Sequence, residues 1–177
     1  MKALDETADA GASGFRDPGE PAEAAVRRLF AAEGLSLYRF SRSMLPNSGD
    51  AEDIVQDAFL KLLQHLRSGG DRTNLRAWLF AVAANACRDR ARWGMRWLPW
   101  RPELDRRTTA AVEPVDDAPD RRRARAALGA LAPRDRLLLS LRAQGLSYRE
   151  MAVAAGLAER SVGRLLARAV DRWKQGL

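Results

Sequence analysis

Arg160, Arg164 and Arg168 recur every four residues, with Ser161 beside them, while Val162, Leu166, Ala169 and Trp173 recur at spacings of 4, 3 and 4. One helix from about Glu159 to Trp173 therefore buries an apolar stripe and exposes three guanidinium forks. Such forks pair bidentately with guanine O6 and N7 or with phosphate oxygens. Upstream, Ser147-Tyr148-Arg149-Glu150 has the capping-box form and opens a short helix through Met151, Ala152 and Ala155, after which Gly156 supplies a turn. A short helix, a glycine turn and a longer basic helix form a helix-turn-helix pattern. The competing reading is a plain helical hairpin with a solvated arginine face. Local charge favours the first, because residues 121–177 hold thirteen basic and four acidic groups.

The remaining chemistry is limited by what the chain lacks. Cys87 is its one cysteine and His65 its one histidine, which leaves no disulfide framework, no Cys-based zinc cluster and no multi-His metal site. A lone histidine in a helical run is a surface or packing residue before it is a general base. No catalytic residue, metal or cofactor is therefore expected. The 177 residues suffice for one large or two small domains, and 46% hydrophobic with 30% charged residues is a globular composition. The first residues lack the basic start and apolar stretch of a signal peptide, and no apolar run reaches the roughly 18 residues of a membrane span. A cytoplasmic protein without membrane insertion is expected. The net charge of +7 is uneven: residues 84–107 carry +4 and 121–177 carry +9, while 108–120 hold four acids and no base. Two basic blocks around an acidic stretch suggest two surfaces that meet a polyanion.

The positioning elements are all helical. Residues 1–21 mix small, acidic, Gly and Pro residues and read as a disordered tail. From Ala22 the apolar positions Val26, Leu29, Phe30, Leu35, Leu37, Tyr38, Phe40, Met44 and Leu45 extend to a break at Pro46 to Gly49, with Gly34 a possible division. A helix capped by Asp50 runs to Leu66 and buries Val55, Ala58, Phe59, Leu62 and Leu66. The next begins near Leu75 and continues toward Trp93, placing Leu75, Trp78, Leu79, Val82 and Ala86 on one side. Gly94 and Pro99 argue against a single helix through Trp93, Trp97 and Trp100. No segment alternates with period two. The expected fold is all-α, with two small helical domains joined by a flexible, Pro-rich and acidic linker. Pro133 suits the first position of a helix in the second domain, which contains the helix-turn-helix.

Two separate motifs give the chain a family likeness. Gly49-Asp50-Ala51-Glu52-Asp53-Ile54-Val55-Gln56-Asp57-Ala58-Phe59, then Ala77-Trp78-Leu79 through Asn85, Asp89 and Arg90, resemble the polymerase-binding and adjoining segments of bacterial RNA polymerase sigma factors of the extracytoplasmic-function type. Gly145-Leu146-Ser147-Tyr148-Arg149-Glu150-Met151-Ala152 resembles the opening of that family's promoter-reading domain. The resemblance implies a region 2-like domain over 22–97, a linker over 98–120 and a region 4-like domain over 121–177. It implies a stress-responsive transcription initiation factor that binds core RNA polymerase and promoter DNA and is held by an anti-sigma factor. Asp53, Gln56, Asp57, Leu60 and Leu63 would meet the clamp coiled coil of the largest subunit, with the beta flap a second contact. Asp71, Arg72, Asn74 and Asn85 would capture an unstacked base of the minus-ten element, and Arg88 and Arg92 would hold phosphates. Arg149, Arg160, Ser161, Arg164 and Arg168 would read the minus-thirty-five duplex.

Departures from the family pattern fall in the reading helix and beside Asn85. Arg160 replaces a small residue, Gly163 a basic one, Arg164 a serine and Val170 a frequent arginine, while Ala84 stands where arginine is common. Gly163 is expected to remove a contact from the groove-facing side. The alternative function is a stand-alone helix-turn-helix regulator, which as a dimer would protect symmetric half-sites. A protein-interaction adaptor is disfavoured by the arginine face. Cys87, in a helix beside packed residues, is expected to be inert.

Overall fold

The structure, a computed structural model, describes residues 19–97 and 119–176, so the tail before Gly19, the segment 98–118 and Trp100 lie outside it. Seven helices occupy the described residues: α1 Ala22–Met44, α2 Ser48–Arg67, α3 Leu75–Trp97, α4 Pro119–Ala130, α5 Pro133–Ala143, α6 Tyr148–Ala155 and α7 Glu159–Gln175. No strand occurs among them.

α1 buries Ala25, Leu29, Leu37, Phe40 and Ser41 on one side and runs unbroken through Gly34. Gly34 does not divide it. A Cβ there would lie 3.6 Å from the Phe30 ring, an ordinary van der Waals contact, so the ring does not require glycine, which costs about 1 kcal/mol of helix propensity relative to alanine. Phe30 and Leu35, counted from sequence among the apolar positions, are 55% and 60% exposed. Adjacent helical residues point about 100° apart, so Leu29 and Phe30 cannot both enter the core. Phe30 instead packs edge-on against Phe59 of α2, centroids 5.0 Å apart.

α2 starts earlier than expected. Asn47 is its cap and accepts from the Gly49 N–H at 2.9 Å, whereas Asp50 sits in the first turn, where a carboxylate complements the helix dipole. Ser48 and Gly49 are poor helix formers, which hid this extra turn from a periodicity argument. After Arg67 the chain reverses at Gly69, φ +76°, and Gly70 lies so close to the His65 ring that a Cβ would meet it at 2.2 Å. His65 stacks on Trp78 at 4.7 Å and its Nε2 donates to the Asp71 carbonyl at 2.9 Å. The single histidine is thus a packing residue.

α3 continues past Gly94 to Trp97, placing Trp93 and Trp97 in one helix. One glycine among Arg, Trp and Met residues costs too little to end it. Phe80 of α3 meets Phe40 of α1 edge-on at 5.5 Å, and among the described residues these two rings are the largest fully buried side chains. Cys87 is buried, and burial pushes its thiol up to about 12, outweighing the Ser41 hydrogen bond and the Arg90 charge that lower it. It carries no thiolate near neutrality.

In the second lobe Pro133 opens α5 at the first helical position, as its missing N–H permits. Asp135, with a 7% exposed side chain, accepts from Arg172 of α7 at 2.5 Å, and Trp173 Nε1 donates to Ala124 O of α4 at 3.3 Å. The two lobes are not held apart. α6 packs on α3, α5 and α4 pack on α1, and the buried residues of both lobes form one cluster from Ala25 to Leu166.

Candidate polymerase and promoter interfaces

The buried stripe of α2, Ala51, Ile54, Val55, Ala58, Phe59, Leu62 and Leu66, turns the opposite side outward. Asp53, Gln56, Asp57 and Leu60 are exposed there and Leu63 is half-buried at the edge, all within roughly a third of the helix circumference. Leu60, 59% exposed, stands among acids. Asp53 is engaged by Arg90 of α3 at 3.4 Å, and the same guanidinium reaches Asp50 at 3.1 Å. Gln64 is also exposed on this face and Phe30 is exposed at the adjoining α1–α2 contact; sequence reading selected neither. Gln64 was legible, four residues after Leu60 on the same strip.

The loop before α3 is tied down by its own side chains. Asp71 accepts from the Thr73 hydroxyl at 2.6 Å and its N–H at 2.9 Å, and these bonds hold its carboxyl below the ordinary carboxylate range. Arg72 donates to Glu20 O at 2.7 Å. Asn74 is the helix cap, its Oδ1 accepting from the Ala77 N–H at 3.1 Å. Arg88 donates to Asn85 Oδ1 and to Ala84 O, which leaves the Asn85 amide free to donate outward. The loop and Asn85 stand apart: the eleven-position step from Asn74 to Asn85 spans about 16 Å along α3. Arg92 follows on α3, its side chain outside the described residues.

The helix-turn-helix is built as its spacing implies. Ser147 Oγ accepts from the Glu150 N–H at 3.3 Å while Glu150 Oε2 accepts from the Ser147 N–H at 2.8 Å, so the capping box closes both ways. Gly156 adopts φ +65°, ψ +43°, a left-handed conformation that favours glycine. α7 then buries Val162, Leu166 and Ala169. Arg160, Arg164 and Arg168 are exposed within about 80° of one another, Ser161 is half-buried at their flank, and Arg149 is exposed near the start of α6. Gly163 differs from expectation: it faces the Tyr148 ring, whose Cε2 would lie 3.4 Å from an added Cβ. Tyr148, 44% exposed with the Arg142 guanidinium 5.8 Å over its ring, stands in close contact with the place a Cβ at 163 would take. Nothing in linear spacing signals that neighbour.

These features coincide with family matches. Residues 29–96 match sigma-70 region 2 and residues 121–172 match sigma-70 region 4. The chain belongs to the sigma-70 family of RNA polymerase sigma factors, in its extracytoplasmic-function branch. It is 32% identical over 146 residues to the RNA polymerase sigma factor CarQ of Myxococcus xanthus, covering 81% of this chain and 82% of that one. It is 38% identical over 73 residues to the sigma factor SigL of Mycobacterium tuberculosis, 40% of this chain and 41% of that one. Among solved structures, the sigma factor RpoE of Bartonella quintana, determined with the anti-sigma factor NepR, superposes with a TM-score of 0.67 at 25% identity, over 85% of this chain and 94% of that one. CnrH, determined with the cytosolic domain of CnrY, gives 0.63 at 25% identity over 89% and 88%. The protein is a promoter-specific transcription initiation factor that works with core RNA polymerase and promoter DNA. No helix among the described residues is long and apolar enough to cross a membrane.

Proposed function

We propose that the two lobes divide the initiation task as regions 2 and 4 of the family, with boundaries at 22–97 and 121–177. Asp53, Gln56, Asp57, Leu60 and Leu63 grip a basic helical element of the polymerase clamp. Asp71, Arg72, Asn74, Asn85, Arg88 and Arg92 hold the melted minus-ten strand. Arg149, Arg160, Ser161, Arg164 and Arg168 lie in the minus-thirty-five major groove, and the beta flap receives the second lobe. The factor itself catalyses nothing and acts in the cytoplasm, where bacterial polymerase is. The likeness to RpoE and CnrH, each solved with a bound partner, supports an anti-sigma factor as its inhibitor.

One observation carries this reading: a single chain presents an exposed acidic face with Leu60 at its centre on α2 and three aligned, exposed arginines, Arg160, Arg164 and Arg168, on α7. The first suits a protein partner, because interface cores need apolar anchors, and the second suits nucleic acid. Run-off transcription from fragmented genomic DNA, with core polymerase and with or without this protein, tests it. New start sites sharing two spaced, dissimilar upstream elements are expected; absence of core binding and of new transcripts beside an active reference sigma factor refutes the division of labour.

A further inference from the structure

The loop that joins α2 to α3 is organised by a residue outside the minus-ten set. His65, in the last turn of α2, accepts at its carbonyl from the Gly70 N–H at 2.8 Å and the Ser68 hydroxyl at 3.0 Å. The Gly69 N–H meets Leu66 O at 3.2 Å, so Gly69, at φ +76°, and Gly70 close α2 with a Schellman motif. The His65 side chain then reaches beyond this turn. Its ring stacks on Trp78 of α3 with centroids 4.7 Å apart, and its Nε2 donates to Asp71 O at 2.9 Å. Gly70 lies against the same ring. It lacks the positive φ of Gly69, so its backbone does not call for glycine; the ring does, because a Cβ at 70 would come within 2.2 Å of the imidazole Cε1. The ring cannot swing away from such a Cβ without giving up the stack on Trp78 and the bond to Asp71. Further along, the loop is held by Arg72 on Glu20 O, by the Asp71–Thr73 bonds and by the Asn74 cap. His65 supplies the restraint between these and the end of α2.

We propose that His65 is a positioning residue for capture of the minus-ten base: its ring, held on Trp78, fixes the backbone at Gly70 and Asp71 and so sets where the loop's polar groups stand before the strand arrives. The inference rests on the assignment of this loop to the melted minus-ten strand. Taking a base out of its stack is costly, so a loop that must also be ordered on binding holds the base less well than one already ordered. Discrimination among bases needs donors and acceptors fixed in place, because a mobile group re-forms its bonds to a wrong base or to water. Asp71 carries the pinned carbonyl and Arg72 follows it, so a shift there moves both side chains. His65 acts through them and is not itself a contact to the base. Sealing the edge of the core between α2 and α3 would need only an apolar ring. The bond to Asp71 O and the bare Gly70 against the imidazole are what point to the loop.

Trypsin reads the loop in the free, full-length factor, because cleavage after Arg72 requires local opening. His65→Ala should quicken that cut at least fivefold, with cleavage after Arg88 inside α3 unchanged; no acceleration after Arg72, or equal acceleration at both sites, overturns the pin. Gly70→Ala should also quicken the cut after Arg72, but in a His65→Ala background it should add less than twofold, since its Cβ then meets no ring. Equal effects in the two backgrounds likewise overturn the pin. Function is read with core polymerase on promoter forks whose minus-ten strand is single, one base changed at a time. The wild-type preference for one base at the captured position should shrink at least fivefold in His65→Ala, with core affinity unchanged. His65→Phe keeps the ring stack without the donor to Asp71, serves if His65→Ala fails to fold, and should lose two- to threefold. Undiminished preference in these variants, with the loop loosened, overturns the positioning role and leaves His65 at the core's edge only. A wild-type factor without base preference at any minus-ten position, beside an active reference sigma factor, refutes the minus-ten assignment and with it the capture role, while the cleavage rates still judge the pin.

Discussion

α2 and α7 follow the same rule of burial and expose opposite chemistries. Each sinks a stripe at helical spacing into the common core, α2 through Ile54, Ala58, Phe59 and Leu62, α7 through Val162, Leu166 and Ala169. Outside, α2 sets Leu60 among Asp53, Gln56 and Asp57, whereas α7 aligns Arg160, Arg164 and Arg168 on one side, with exposed Ala167 beside them and Asp171 in the next turn. The difference reflects the solvent each interface keeps. A protein partner must exclude water from an apolar centre, while a nucleic-acid duplex is held through charge and counterion release with water retained. The same amphipathic plan therefore yields a hydrophobic anchor in one lobe and a charge comb in the other.

The contrast can be broken most severely at Leu60. Leu60→Asp should weaken core polymerase binding by roughly 2–4 kcal/mol, the loss of a central anchor, with unaltered duplex binding, as measured by competition against a labelled reference factor. Asp57→Arg should act in the same direction; affinities unchanged in both variants would place the docking face elsewhere. On the α7 side, Arg168→Ala or Arg164→Ala should cost about 1–3 kcal/mol in promoter duplex binding if the contact is a base edge, or flatten the salt slope by about 1 if it is a phosphate. Ionic strength sharpens the comparison without mutation. If the three arginines each neutralise a phosphate, duplex affinity falls about 40-fold between 50 and 200 mM salt. Core binding centred on Leu60 should fall by much less, and equal salt dependence would erase the distinction. Smaller still is the effect of Gly163→Ala: it gains helix propensity, at most about 1 kcal/mol, but crowds Tyr148. The gain should be larger in a Tyr148→Ala background, measured by a double-mutant cycle in denaturant.

Beneath both faces the interior has its own pH signature. Cys87 is pushed up to about 12 when folded, above its ordinary value of 9.0, so folding favours the protonated thiol. That contribution is complete below about pH 9 and is lost as pH rises toward 12. Cys87→Ala should flatten this alkaline limb of the stability curve; an identical limb would show that other groups set it.

Periodicity located the buried stripes because each residue of a helix has one direction, and the capping box and Gly156 turn were legible because their chemistry is local. What escaped depends on neighbours distant in sequence. Phe30 is apolar yet exposed, since Leu29 already fills the inward direction. Asn47 caps α2 through a side chain that precedes any apolar signal. Asp71 and Asn74 look like free polar groups in sequence, but the first closes a loop on Thr73 and the second caps α3. Tyr148 beside Gly163 and Arg76 between Glu33 and Glu150 are products of tertiary packing, and no local pattern announces them.

Arg76 of α3 donates to Glu150 of α6 at 3.3 Å, and the order of synthesis gives that contact a history. Glu150 lies 74 residues after Arg76 and so emerges from a ribosome about 4–15 s later, at ~5–20 residues per second. During that interval the first lobe can fold and pair Arg76 with Glu33, but the α3 surface that α6 will cover is still bare. The cover that α6 places on α3 is thus a late event of folding, made only when the last third of the chain arrives.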